Sequence, residues 1–238
     1  MPSPSPEELE KQLVLEFFGS RTEGFFIEVG ANDPQWISQT WELERRGWRG
    51  LLIEPQSCFF DKLVAARPHS RVVQAACTSA DKRGTGQLHL SPSKAFATLE
   101  KFVDDQGIEF NGVETVRLLT LDEILEQDPP KKVDFISIDV EGTELDVLRG
   151  FNMKRWQPEL LLVEDKLNHL QKHRYMLGQG YRLLRRIGVN SWYVPASHPA
   201  KLPFMDRVRL FRKYYLGTPL RRYKRDRAAR RRQASAGK

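Results

Sequence analysis

The sequence predicts an α/β fold: a Rossmann-like, mostly parallel sheet with a reversed terminal strand. Three observations carry that reading. Phe25-Phe26-Ile27-Glu28-Val29 is a short apolar run that breaks into Gly30-Ala31-Asn32-Asp33, as a buried parallel strand does when it ends at a ligand. A second run, Gly50-Leu51-Leu52-Ile53, ends in Glu54-Pro55, and Glu54 follows Glu28 by 26 residues, which leaves room for one crossover helix. Four predicted strands end in carboxylates, Glu28, Glu54, Asp139 and Glu164. In a parallel sheet such ends share one rim, where ligands bind.

The elements follow in order. After a Pro/Ser leader, Leu9, Leu13 and Phe17 recur at helical spacing and predict a short amphipathic helix, so residues 1–23 read as leader and helix. Strand one is 25–29, a helix covers 36–46 up to Gly47, and strand two is 50–54. Phe60, Leu63 and Val64 mark the next helix, which stops before Pro68, and Arg71–Cys77 reads as strand three. Residues 81–119 interrupt the rhythm and read as an inserted hairpin and loop, with Val113–Leu119 as the returning strand. Thr120-Leu121-Asp122-Glu123 is a capping box that starts a helix. Val133–Ile138 is strand four, followed by a helix carrying Leu145 and Leu148; Glu159–Val163 is strand five. A helix over roughly 167–177 leads to two strands, Tyr181–Ile187 and Ser191–Val194, joined tightly through Gly188-Val189-Asn190. The main domain is thus 24–197, and 198–238 is an arm.

Composition excludes several classes. No apolar segment approaches the ~20 residues that span a bilayer, and the N-terminus has neither the basic region nor the apolar core of a secretory signal. Cys58 and Cys77 read as buried reduced thiols of a cytoplasmic protein, and two cysteines with five scattered histidines give no zinc spacing. The net charge of +7 is uneven. From Arg207 to Arg232 there are twelve Lys or Arg against one acid, Asp226, so the rest of the chain, with 26 basic and 30 acidic residues, is mildly acidic. The arm's aromatics and basic residues leave three readings open: a solvated tail, peripheral contact with an anionic membrane at its inner surface, and nucleic-acid binding.

The dinucleotide fingerprint G-x-G-x-x-G is absent: Gly30 is present and Asn32 takes the second glycine position. A pyrophosphate needs close backbone approach, so a nucleoside ligand without phosphate suits this turn better. An acid ending the second strand commonly accepts hydrogen bonds from a ribose diol, which points to Glu54.

Glu28-Val29-Gly30-Ala31-Asn32-Asp33, the segment from Ser38 through Gly47-Trp48-Arg49-Gly50 to Ile53-Glu54-Pro55, and Leu119-Thr120-Leu121-Asp122 belong to one pattern. Asp139-Val140-Glu141-Gly142-Thr143-Glu144, Leu148-Arg149-Gly150, Trp156-Gln157-Pro158 and Val163-Glu164 complete it. Over about 24–195 the chain resembles the FkbM-type methyltransferases, S-adenosylmethionine-dependent O-methyltransferases of the class I fold. It departs from them at Pro34, where the family often has glycine. The resemblance implies cofactor contacts by Glu28, Gly30 and Asn32 at the methionine end, by Ser38 and Thr40 near the carboxylate, by Glu54 with Pro55 at the ribose, and by Ala76, Cys77 or Thr78 at the adenine. It implies Asp139 and Glu141 at the transferred methyl, with Glu164 and His169 as further candidate catalytic groups. The expected acceptor is a hydroxyl of a sugar, glycan or related natural product. Asp139, Glu164 and Asp165 could instead hold Mg²⁺, although the reading without a metal is preferred. Glu144 and Asp146 read as helix solvation, and His173 as a helix-face residue. The alternative function is a nucleic-acid-binding or RNA-modifying protein on the same scaffold.

Overall fold

The computed structural model describes residues 5–91, 97–99, 110–166, 170–221, 223 and 227. Helix α1 (Pro6–Phe18) starts from a Ser5–Glu8 capping box. Strand β1 (Phe25–Val29), helix α2 (Trp41–Arg45), strand β2 (Arg49–Ile53), helix α3 (Ser57–Ala66) and strand β3 (Ser70–Val73) follow. Four further strands come next, β4 (Ala76–Cys77), β5 (Gly84–Leu90), β6 (Ala97–Thr98) and β7 (Gly112–Leu119). The second half holds α4 (Leu121–Gln127), β8 (Phe135–Ile138), α5 (Glu144–Arg149), α6 (Met153–Trp156), β9 (Leu160–Glu164), α7 (Gln171–Gly178), β10 (Tyr181–Ile187), β11 (Asn190–Pro195) and α8 (Phe204–Phe211).

The main sheet has the order β10-β11-β9-β8-β1-β2-β3. Every neighbouring pair from β9 to β3 is parallel, whereas β11 runs antiparallel to both β9 and β10. This is the mostly parallel sheet with a reversed terminal strand that the sequence predicts. A second sheet, β4-β7-β5-β6, forms the insertion. Apolar residues cover both faces of the main sheet. Ile27, Ile53, Ile138 and Val163 meet α4 and α5 on one side; Phe26, Leu52, Leu162 and Trp192 meet α1 and α3 on the other.

Five expectations change. Residues 71–77 are not one strand: β3 ends at Val73, and β4 pairs with β7 in the smaller sheet. The helix read over 36–46 shrinks to α2, because Gln35 and Trp36 donate backbone N–H bonds to Asp33 in a tight turn that Pro34 favours. Helix α1 fully buries Glu10, Val14 and Phe18, one residue further round the helix than expected, while Leu13 and Phe17 pack against the same core only partly buried and Leu9 is exposed. Glu144 and Asp146 are not solvated. Both are buried, Glu144 against Lys172 at 2.9 Å and Asp146 against Lys82 at 2.7 Å. The helix read over 167–177 begins at Gln171, and 167–169 lie outside the described residues.

Candidate functional site

The strand register places the acids. Val29 pairs with Ile138 and Ile53, and Ile138 with Val163, so Gly30, Glu54, Asp139 and Glu164 form the next row at the rim. Glu28 is two residues earlier on the same face, roughly 7 Å down the sheet at ~3.3 Å per residue. Three carboxylates, not four, therefore share the rim. The β1 position in that row is a glycine for a steric reason: Gly30 has φ 80°, and a Cβ there would lie 1.9 Å from the Asp139 carbonyl oxygen.

Above this row opens a cavity of about 570 Å³ lined by Gly30, Asn32, Glu54, Pro55, Ala76, Cys77, Asp139 and Glu141, among others. Its two ends differ. Ala75, Ala76 and Cys77 with Phe59 and Leu88 make an apolar slot. Burial pushes the Cys77 thiol up, which leaves it an inert packing group. Glu54 stands between that slot and the glycine turn. Its two oxygens accept the backbone N–H groups of Asn32 and Gln56, both at 2.9 Å. Asn32 presents its N–H from a left-handed conformation, φ 46°, which asparagine tolerates better than most residues. Burial, partly offset by those two donors and assisted by Glu114, raises the Glu54 carboxyl to about 7. Two N–H bonds do not exhaust a carboxylate's lone pairs, so the side chain can still accept from a vicinal diol. An apolar slot, a buried diol acceptor and a glycine turn fit a purine nucleoside extended toward Asp139.

Glu28, Ser38 and Thr40 do not line this cavity. Glu28 accepts the Ser38 and Thr40 hydroxyls at 2.7 and 2.6 Å and the Gln39 N–H at 2.8 Å. Arg67, also buried, binds the same cluster: it pairs with Glu44 and Glu28 and donates to Thr40 Oγ1 at 2.9 Å and to the Pro34 carbonyl at 3.1 Å. These residues pin the 33–40 loop to the sheet from behind. Their bonds fix the backbone at Pro34 and Gln39 and the side chains of Ser38 and Thr40.

At the other end Asp139, Glu141 and Glu164 bring carboxylate oxygens within 4.8 Å of one another. Asp139 meets the water of the cavity but lies deep among protein atoms; burial, with Glu141 and Glu144, raises its carboxyl to about 7. Glu164 rises to about 9 through burial and the charges of Asp139, Glu144 and Glu141. Asp139 and Glu164 repel each other's charge, and the two share a proton near neutral pH. Burial also acts on Glu144, but Lys172 and the Gly142 N–H outweigh it and keep that carboxyl low. Lys166 lies 3.0 Å from Glu141 and 3.7 Å from Glu164. Glu141 has φ 53°, a conformation costly for a residue with a Cβ and common at working sites. These three could also hold a divalent cation. Glu141 replaces Asp165 in the expected set, since Asp165 lies 3.9 Å from Lys172 beneath the site. His169 lies outside the described residues. His173 is buried against Tyr193 and Tyr214.

Glu10 and Trp36 are among the lining residues that the sequence reading did not single out. Glu10 is buried in the wall and accepts the Trp192 indole N–H at 2.7 Å and the Asn190 amide at 2.6 Å; burial raises its carboxyl. Its position four residues before Val14 and eight before Phe18 was the available signal. Trp36 sits at the rim with 82% of its surface exposed, and nothing in its local pattern marks it.

A family model described as the methyltransferase FkbM domain matches residues 28–188. The chain belongs to that family, and it is an S-adenosylmethionine-dependent methyltransferase. No curated protein matches the chain. Among solved structures, a METTL16 methyltransferase domain is similar at TM-score 0.46 and 12% identity over 82% of this chain and 69% of that one. The human METTL16 N-terminal domain in complex with S-adenosylhomocysteine (SAH) is similar at 0.43 and 12%, over 82% and 71%. TrmK of M. capricolum with the same ligand is similar at 0.42 and 6%, over 77% and 65%. Identities this low leave the family assignment to the sequence match.

Proposed function

We propose that the protein methylates a hydroxyl oxygen of a sugar, glycan or related natural product. Bound S-adenosylmethionine supplies an electrophilic methyl carbon whose sulfur leaves as a neutral thioether. The chain supplies alignment and a base. Gly30 and Asn32 border the methionine portion, Glu54 takes the ribose hydroxyls, and Ala76 and Cys77 flank the purine. Asp139 takes the acceptor's proton as the oxygen forms its new bond. The observation that carries this reading is geometric: Asp139 and Glu141 line the cavity, and their carboxylate oxygens lie within 4.8 Å of each other and of Glu164. Burial and the neighbouring carboxylates raise the Asp139 carboxyl to about 7, near the pH at which a general base works best. Trp36 supports a sugar acceptor, since it is exposed and lines the same cavity as Asp139 and Glu141, where an indole face offers a stacking surface.

The test is transfer of labelled methyl to a panel of glycans and phenols, with and without chelator, by wild type and Asp139→Asn. The expected result is methylation of a carbohydrate hydroxyl that survives chelation, rises with pH through about 7, and falls by roughly 10²-fold in the variant. Label appearing on nitrogen, or full activity in Asp139→Asn, would remove the reading.

A further inference from the structure

Within the C-terminal arm residues 204–221 are helical, and their exposed surface carries large apolar and basic side chains together. Helix α8 continues through a five-residue π-helical stretch, Arg212–Leu216, and the helical assignment runs on to Arg221. One side is fastened to the domain. Tyr214 is buried, with its hydroxyl 2.5 Å from Ser191 Oγ, and the Tyr215 hydroxyl reaches His173 Nε2 at 3.3 Å. The widened π turn allows two consecutive tyrosines to engage the domain. The remaining surface carries Phe204 at 73% exposure and Leu216 at 62%, together with Met205, Phe211 and Leu220, all exposed. The Phe211 and Tyr215 rings lie 5.2 Å apart and make part of this face continuous. Arg207, Arg209, Arg212 and Lys213 are exposed among them. Beyond Leu220 the sequence adds eight Lys or Arg through Arg232 against Asp226 alone.

We propose that this helix docks the enzyme on an anionic lipid surface. Among the described residues no helix is long and apolar enough to cross a membrane, so the contact lies in the interface plane. The charge is complementary to acidic headgroups, which attract each nearby basic residue. The aromatic and aliphatic side chains match the headgroup–acyl boundary, where such groups are buried by an interfacial helix. Exposed leucine and methionine distinguish this from a nucleic-acid surface, because a strand would be met by cations and flat rings and gains little from branched aliphatics. The anchor point matters as well. Ser191 adjoins Asn190, which lines the cavity, so docking would hold that wall near the membrane. The inference concerns binding alone and stands apart from the choice of acceptor.

The experiment is sedimentation of the full chain with vesicles of phosphatidylcholine alone or with about one third phosphatidylglycerol, in wild type and in Phe211→Ala/Leu216→Ser/Leu220→Ser. The three altered side chains are exposed, and a thermal melt confirms that the variant stays folded. The expected result is binding to the mixed vesicles at least about tenfold tighter than to neutral ones, weakened about tenfold in the variant and reduced by salt. No sedimentation with anionic vesicles would overturn the proposal. So would vesicle binding insensitive to the three substitutions, or binding of single-stranded RNA that the substitutions weaken while vesicle binding is unchanged. A wild-type dimer in analytical ultracentrifugation that the substitutions dissociate, without vesicle binding, would assign the face to a second copy instead.

Discussion

Glu54 offers the sharpest test of the cofactor site, because its burial and its bonding pull in opposite directions. In the free enzyme burial raises its carboxyl from 4.5 to about 7. For an acid the sign is unfavourable to the charged form. The group costs the fold nothing below the unfolded value of 4.5, and the cost grows to about 3 kcal/mol as pH climbs past 7. Ribose hydroxyls donate to the ionised form, so they draw the proton off. SAH carries the same ribose without the sulfonium, which keeps Asp139 out of the comparison. Its affinity should therefore rise about tenfold from pH 6 to pH 8 and level off above, with a proton released on binding near pH 7. Hydrogen bonds to a charged acceptor contribute ~1.5–3 kcal/mol each, so Glu54→Gln should weaken SAH by roughly 10- to 100-fold and flatten the pH profile. The glutamine NH₂ would also face an Asn32 or Gln56 N–H donor, so a melt must accompany the titration. Calorimetry at pH 6, 7 and 8 in buffers of different ionisation heat measures all of this. A wild-type affinity flat across that range, or a Glu54→Gln variant that binds like wild type, would refute the assignment of the ribose to Glu54.

Two further perturbations probe the scaffold. Arg67→Met leaves Glu28 and Glu44 buried without their guanidinium, and should cost about 3–5 kcal/mol; a denaturation midpoint close to wild type would show that the cluster is not held by charge. Gly30→Ala places a Cβ 1.9 Å from a backbone oxygen, whereas Gly180→Ala, at φ 82°, meets nothing within 4 Å. The first should abolish SAH binding or folding, and the second should cost only ~1–2 kcal/mol of backbone strain. Equal melting temperatures for the two variants would contradict the close approach of β1 and β8.

Much of the fold was legible because the strands of a parallel sheet are buried on both faces and read as uninterrupted apolar runs. The Thr120 capping box forms as its spacing demands, with Thr120 Oγ1 accepting the Glu123 N–H and Glu123 accepting the Thr120 N–H. Local chemistry of that kind needs no distant partner. The amphipathic face of α1 was displaced by one residue for the opposite reason. Burying Glu10 is tolerable only where Trp192 and Asn190 arrive from the far end of the chain to donate to it. Glu144 and Asp146 were misread in the same way, since a carboxylate on a helix looks solvated until Lys172 and Lys82 come across to meet it.

What the linear chain determined alone is the alternation of strands and helices, the reversed hairpin at the edge, and the strand-end acids, all set by periodicity and turn chemistry within a few residues. Register belonged to the tertiary structure. Only pairing of β1 with β8 and β2 shows that Glu28 stops two residues short of the rim and joins Arg67, while Glu54, Asp139 and Glu164 reach it. The distinction is physical: hydrogen bonding and hydrophobic period act between neighbours in sequence, but whether a carboxylate serves a ligand or a buried arginine depends on which side chains the fold brings to its oxygens.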